Sequence, residues 1–190
     1  KYVEYCQILR KNGNLKAINL LGDLYKEGKG VEQNDSKAFE YYKEAAEKKY
    51  EDAMINLGLC YQEGIGVEQN YEKAFECFNH EILQYNYKVK YYIGLLYKHG
   101  KGVEQCDWLA FKYFSESIER YENPDLLNEL GECYFSGKVV DKNYNYAFSC
   151  FMKGARYGNP NAMHNVGVCY EEGKCVRFDI EKAIHYFECA

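Results

Sequence analysis

A chain of 190 residues with 47% hydrophobic content has ample material to bury, and its two prolines leave long stretches free to be helical. The formal net charge of -5 argues against nucleic-acid binding, which needs a dense basic surface. No apolar run approaches the roughly 18 residues of a membrane span, and no secretory leader begins at Lys1.

One pattern recurs along the whole chain. Leu21-Gly22, Leu57-Gly58, Ile93-Gly94, Leu130-Gly131 and Val166-Gly167 open five copies, at intervals of 36, 36, 37 and 36 residues. Each copy continues with Tyr (25, 61, 97, 134, 170), Gly (28, 64, 100, 137, 173), Val (31, 67, 103, 140, 176) and Ala (38, 74, 110, 147, 183). A period of this size marks a solenoid, whose surfaces bind more often than they catalyse.

In chain order, residues 1–12 read as the trailing helix of a preceding, incomplete repeat, because Tyr5 and Cys6 stand 36 residues before Tyr41 and Tyr42. Residues 14–48 form the first full repeat. Ala17, Leu20, Leu21, Leu24 and Tyr25 make an amphipathic helical stripe. Gly28 ends that helix in the left-handed conformation, and Val31 returns to the interior. Asp35 is expected to cap a second helix, which carries Ala38, Phe39, Tyr42 and the Ala45-Ala46 pair. Repeats at 50–84, 86–121, 123–157 and 159–190 follow. In the second and fourth, Asn70 and Asn143 take over the cap ahead of Tyr71 and Tyr144. The second loop glycine (Gly30, Gly66, Gly102) becomes Val139 and Cys175, so positive φ is not expected to be required there. The extra residue of the 37-residue interval falls around Tyr121–Pro124, with Pro124 suited to a first helical turn. Neither end carries a polar capping element, so the segment is expected to belong to a longer array.

The combination of Ala, then Leu-Gly-x-x-Tyr-x-x-Gly-x-Gly-Val, then Asp-x-x-Lys-Ala and an aromatic pair resembles the Sel1-like repeat family over nearly the whole chain. Tetratricopeptide repeats have a 34-residue period and a shorter loop; the seven residues from Gly28 to Asn34 favour the Sel1-like pattern. The resemblance implies an all-α fold. It would be an α/α solenoid with a right-handed superhelical twist, built from five helix-pair repeats and one leading helix. It also implies a scaffold or adaptor for protein complexes.

Nine cysteines cannot all pair within the segment. Cys60, Cys133 and Cys169 share the packing column of Leu24 and Leu96, while Cys77 and Cys150 share that of Tyr41, which reads as core filling in a reducing, cytoplasmic compartment. A competing reading bridges Cys60 to Cys77 and Cys133 to Cys150. The stapled secreted branch of the family bridges the columns of Ala46 and Met54, and neither column holds a cysteine here.

Chemistry has little to stand on. His185 and Cys189 have helical metal-ligand spacing, but two ligands do not make a site. No Gly-x-Ser-x-Gly, His-Glu-x-x-His, phosphate-loop or Ser-x-x-Lys pattern occurs. No catalytic residue, metal or cofactor is expected.

A ligand is instead expected in the concave groove that the first helices would line. Ile55, Leu59, Tyr91 and Leu95 form an apolar patch there, edged by Lys88 and Lys98, and Asn128, Glu132 and Phe135 continue the same columns. The expected partner is a peptide or helix of another protein. Two other readings remain: a secreted, disulfide-stapled protein of host contact or weak hydrolysis, and a structural spacer. The exposure of the four apolar residues weighs on the groove reading, which fails if all four are buried.

Overall fold

The computed structural model describes residues 1–190. Eleven α-helices follow one another without a strand. They are α1 (Tyr2–Lys11), α2 (Leu15–Glu27), α3 (Asp35–Glu47), α4 (Glu51–Glu63), α5 (Tyr71–Phe78), α6 (Tyr87–His99), α7 (Asp107–Ser117), α8 (Pro124–Ser136), α9 (Tyr144–Arg156), α10 (Pro160–Glu172) and α11 (Ile180–Cys189), with a 3₁₀ turn at Glu81–Leu83. The chain divides into two compact units, Lys1–Gln105 and Cys106–Ala190.

The Leu-Gly pair has a packing cause. A Cβ added at Gly58 or Gly167 would stand 2.5 Å from Cε1 of Phe78 or Phe187, and Gly22 and Gly131 meet the rings of Tyr42 and Phe151 in the same way. The second-helix aromatic thus lies directly on first-helix backbone, which only glycine permits. Helix α2 ends at Gly28 (φ 67), and Gly64, Gly100, Gly137 and Gly173 end α4, α6, α8 and α10 alike. The loop then closes on the helix it has left. The backbone N–H groups of Asn34, Asn70, Asn143 and Asp179 donate to the carbonyls of Tyr25, Tyr61, Tyr134 and Tyr170 at 2.8–3.1 Å.

The Tyr column ties neighbouring repeats together. Phe39, Phe75, Phe111 and Phe148 each set an edge against the Tyr of the following repeat (Tyr61, Tyr97, Tyr134, Tyr170), with centroids 5.5–5.8 Å apart. Pairs of this kind contribute about 0.5–1.5 kcal/mol beyond their buried area. The Tyr column also carries a cation from its own repeat: Lys37 over Tyr25, Lys73 over Tyr61 and Lys182 over Tyr170, at 5.2–5.4 Å. In the fourth repeat Tyr146 holds the Lys position and packs on Tyr134 at 4.7 Å. The core is accordingly a series of small clusters, such as Ala38, Phe39, Tyr42 and Cys60 in the first unit and Ala147, Phe151, Ala155, Ala162, Val166 and Cys169 in the second.

One local expectation needs correction, and two further details emerge. The cap of α3 is Asn34, whose side chain accepts from Lys37 N at 2.9 Å; Asp35 is already the first helical residue. The second loop glycine does adopt positive φ wherever it occurs: Gly30 (76), Gly66 (69) and Gly102 (69). At Gly66 and Gly102 a Cβ would also collide with the backbone of Asp35 or Tyr71, at the start of the preceding repeat's second helix. Val139 and Cys175 take no positive φ, so their loops follow another path. The second helix of repeat two stops at Phe78, because Glu81-Ile82 replaces the small Ala45-Ala46 pair; Leu83 is buried in its stead.

Candidate partner-binding face

In the first unit, α2, α4 and α6 are the first helices of successive repeats, and on each of them residues three and four apart share one face. Helix α2 contributes Lys16, Asn19, Asp23 and Lys26; α4 contributes Asp52, Ile55, Leu59 and Gln62; α6 contributes Lys88, Tyr91, Leu95 and Lys98. Asn56 Nδ2 donates to Asn19 Oδ1 at 3.0 Å, which ties α2 to α4.

The apolar patch is smaller than its four residues suggest. Ile55 and Tyr91 are 6% and 7% exposed, while Leu59 and Leu95 are half-buried. Tyr91 leans on Tyr92, whose ring stacks on Phe78 at 5.3 Å. Lys88 is exposed and rests its ammonium over Tyr92 at 5.9 Å. Lys98 is half-buried, and its carbonyl accepts from Gln105 Nε2 at 3.0 Å. The corresponding Gln69 side chain holds the Gln62 carbonyl at 2.7 Å. These glutamines satisfy last-turn carbonyls of α6 and α4.

Leu95 also walls a cavity of 440 Å³ between the C-terminal ends of α4 and α6, with Gln62, Glu63, Gln69, Tyr71, His99 and Lys101 around it. Lys101 is drawn over the Tyr71 ring at 4.9 Å. Burial, with the charges of Lys98 and Lys101 behind it, pushes the His99 imidazole below its ordinary pKa, favouring the neutral form. Gln62 Oε1 is buried without a hydrogen-bond partner. The cavity thus combines an apolar wall, an imidazole biased toward its neutral form and an unmet acceptor.

On α3, Tyr42 donates its hydroxyl to Asp23 Oδ1 of α2 at 2.8 Å. Burial raises the Asp23 pKa; the Tyr42 hydrogen bond partly offsets this, and Glu27 raises it further. Nothing in the repeat columns marked this pair, since Phe stands at the Tyr42 position in the other repeats.

In the second unit the equivalent positions are largely engaged within the fold. Asn128 is buried; it accepts from Asn165 Nδ2 at 2.8 Å and donates to Glu132 Oε1 at 2.8 Å. Phe135 is half-buried between Tyr144 and Phe151. These two helices repeat the asparagine link of α2 and α4. Asn56 and Asn165 could have been found only by pairing residues 37 apart, one step off the repeat column.

The nine thiols are unbridged. Burial pushes Cys60, Cys77 and Cys150 up to about 11, which keeps them protonated near neutral pH. His185 Nε2 and Cys189 Sγ stand 3.9 Å apart at an exposed helix end, and no group of three metal-ligand side chains converges. No helix is long and apolar enough to cross a membrane.

Solved structures with this geometry are numerous. A Sel1 repeat protein from Oxalobacter formigenes is 27% identical with a TM-score of 0.78, the match covering 98% of this chain and 79% of that one. The protective antigen c5321 of uropathogenic Escherichia coli, which displays an SLR fold, is 25% identical with a TM-score of 0.82; the match covers 98% of this chain but only 40% of the antigen. The immunity protein Pa5087 of Pseudomonas aeruginosa, at 20% identity and a TM-score of 0.55, shares the fold over 98% of this chain and 71% of its own. Among proteins of curated function none matches the sequence. The model of the Sel1 repeat matches five times, at residues 15–50, 51–79, 89–120, 124–159 and 160–190, and its second match ends where α5 breaks. With five such matches spread over most of its length, the chain belongs to the Sel1 repeat family, an α/α repeat fold that generally mediates protein–protein interaction and is typically a non-catalytic scaffold.

Proposed function

We propose that the chain is a non-catalytic interaction module that holds a peptide or helix of a partner protein against the first-helix face of its first unit. The observation that carries this reading is the pair Leu59 and Leu95. They occupy equivalent positions on α4 and α6, are both half-buried rather than absorbed into the core, and Leu95 walls the 440 Å³ cavity. Leu side chains in a repeat-locked column that are not absorbed by packing are natural anchors for apolar partner side chains. Lys88 at one edge suits a carboxylate flanking such anchors. Ile55 and Tyr91 support the face from beneath. Asn128, Glu132 and Phe135 lie in the second unit and are left out of this face; Asn128 bonds Glu132, and Phe135 packs on Tyr144 and Phe151.

Affinity capture with wild type and with the Leu59→Glu, Leu95→Glu double variant tests the reading. Partners retained by wild type and lost by an equally folded variant are the expected result. A variant with unchanged helical circular dichroism that retains every partner overturns it. A cytoplasmic setting belongs to the same proposal, and fractionation of the native cell decides it.

A further inference from the structure

Helix α10 and the loop behind it carry a cysteine pair that no other repeat has. Cys169 lies in the last turn of α10 and Cys175 two residues past Gly173, whereas the corresponding pairs are Leu24/Gly30, Cys60/Gly66, Leu96/Gly102 and Cys133/Val139. The chain reverses directly over Cys169. Gly173 takes the left-handed conformation (φ 64) and its N–H returns to the Cys169 carbonyl at 3.2 Å. Four residues beyond Cys175, the Asp179 N–H closes on the Tyr170 carbonyl at 3.1 Å. These two bonds fold residues 173–179 back onto the end of α10. Cys175 packs against the cluster in which Cys169 is fully buried, and remains half-exposed itself.

The two thiols are not equivalent. Burial raises both pKa values, and the interaction between the two thiols raises Cys169 further and lowers Cys175. Cys175, also the more accessible, is therefore the thiol that ionises and meets solvent first.

We infer that Cys169 and Cys175 form a thiol–disulfide modification site, which closes to an intramolecular bridge on exposure to a low-molecular-weight disulfide. Cys175 loses its proton to solvent, and its thiolate attacks one sulfur of the reagent, forming a mixed disulfide and expelling one thiolate. Cys169 then gives up its proton as its sulfur attacks the Cys175 sulfur, and the expelled reagent sulfur takes a proton and leaves as a thiol. The protein loses two protons and two electrons, and one molecule of reagent is reduced to two thiols. The bridge fastens to α10 the loop that leads into α11, whose Phe187 lies on Gly167 and whose Tyr186 stacks on Tyr170 at 6.0 Å. It stands independently of the partner-binding reading, because α10 and α11 lie outside the first unit.

The probe is oxidised glutathione, applied to the folded, fully reduced chain and followed by acid quench, denaturing thiol count and peptide mapping. The expected result is a cross-link mapped to Cys169 and Cys175, with no glutathione retained on either of them, whatever the exposed Cys189 takes up. The Cys169→Ala variant is expected to accumulate glutathione on Cys175 instead. A bridge mapped elsewhere, a stable glutathione adduct on wild-type Cys175, or nine unreacted thiols each overturns the assignment. Because the decisive mapping is made on wild type, it does not depend on the variant folding.

Discussion

The hydroxyl of Tyr42 reaches across from α3 to donate a 2.8 Å hydrogen bond to Asp23 on α2, while the same ring presses on Gly22. One side chain therefore closes the helix pair and also holds a half-buried carboxylate whose pKa is raised by its burial. Tyr42→Phe keeps the ring, as Phe78, Phe114, Phe151 and Phe187 do in the other repeats, and removes only the donor. A loss of about 1–2 kcal/mol is expected by urea denaturation. A neutral result would mean that water satisfies Asp23 equally well.

The pH dependence follows in sign. Folded Asp23 holds its proton more tightly than unfolded Asp23. Stability from this group is therefore highest at and below the ordinary aspartate range and falls as pH rises through the raised folded value. Asp23→Asn preserves an acceptor for Tyr42 and removes the titration. Relative to wild type the variant is expected to be more stable near neutral pH than at about pH 3, by less than about 1 kcal/mol because the site is partly screened. Paired urea titrations at the two pH values measure the difference; the opposite order refutes the assignment.

Gly58 sets helix propensity against packing. Alanine is the better helix former by about 1 kcal/mol, yet its methyl group would press to 2.5 Å from Phe78 Cε1. Overpacking of this kind costs about 1–3 kcal/mol, so Gly58→Ala is expected to lower the thermal midpoint. Combining it with Phe78→Leu should recover part of the loss, since the smaller side chain frees the space above the backbone. Additive losses in the two variants would show that ring and glycine do not share that space.

The helix pairs, the left-handed glycines and the place of Pro124 were legible because each repeats a local rule five times or follows a single strong steric preference. What was not legible depended on register or on bulk. Asn34 and Asp35 are adjacent and both accept hydrogen bonds, so the pattern could not choose the cap between them. The break after Phe78 needs the knowledge that Glu81-Ile82 cannot pack as closely as Ala45-Ala46. Ile55 and Leu59 lie one turn apart on the same face, and only the approach of neighbouring helices buries the first and leaves the second half-covered. The Asn19–Asn56 link escaped because aligned columns compare residues 36 apart, whereas touching side chains here are 37 apart.

Two asparagine caps separate exposed from buried capping. Asn34 caps α3 at the surface, and Asn34→Ala is expected to cost about 1 kcal/mol. Asn159 is buried, caps α10 through Ala162 N at 2.7 Å, and donates its Nδ2 to Asp125 Oδ1 at 2.6 Å. Asn159→Ala leaves that carboxylate without its donor as well, so a loss of about 2–3 kcal/mol is expected. Chemical denaturation of both variants gives the ranking. Equal losses would mean that the Asp125 contact contributes nothing.

Burial and binding make opposite demands on two neighbours in α4. Ile55 is 6% exposed, so Ile55→Ala removes packed methylene groups and is expected to cost about 2–4 kcal/mol. Leu59 is half-buried, and Leu59→Ala is expected to cost less than Ile55→Ala, because part of its surface already faces water. If Leu59 is an anchor for a partner, its truncation should reduce binding more than it reduces stability, while Ile55 truncation should do the reverse. Denaturation midpoints set beside retained partner in the capture experiment separate the two effects. A Leu59→Ala protein as destabilised as Ile55→Ala would place Leu59 in the core and remove it from the binding face.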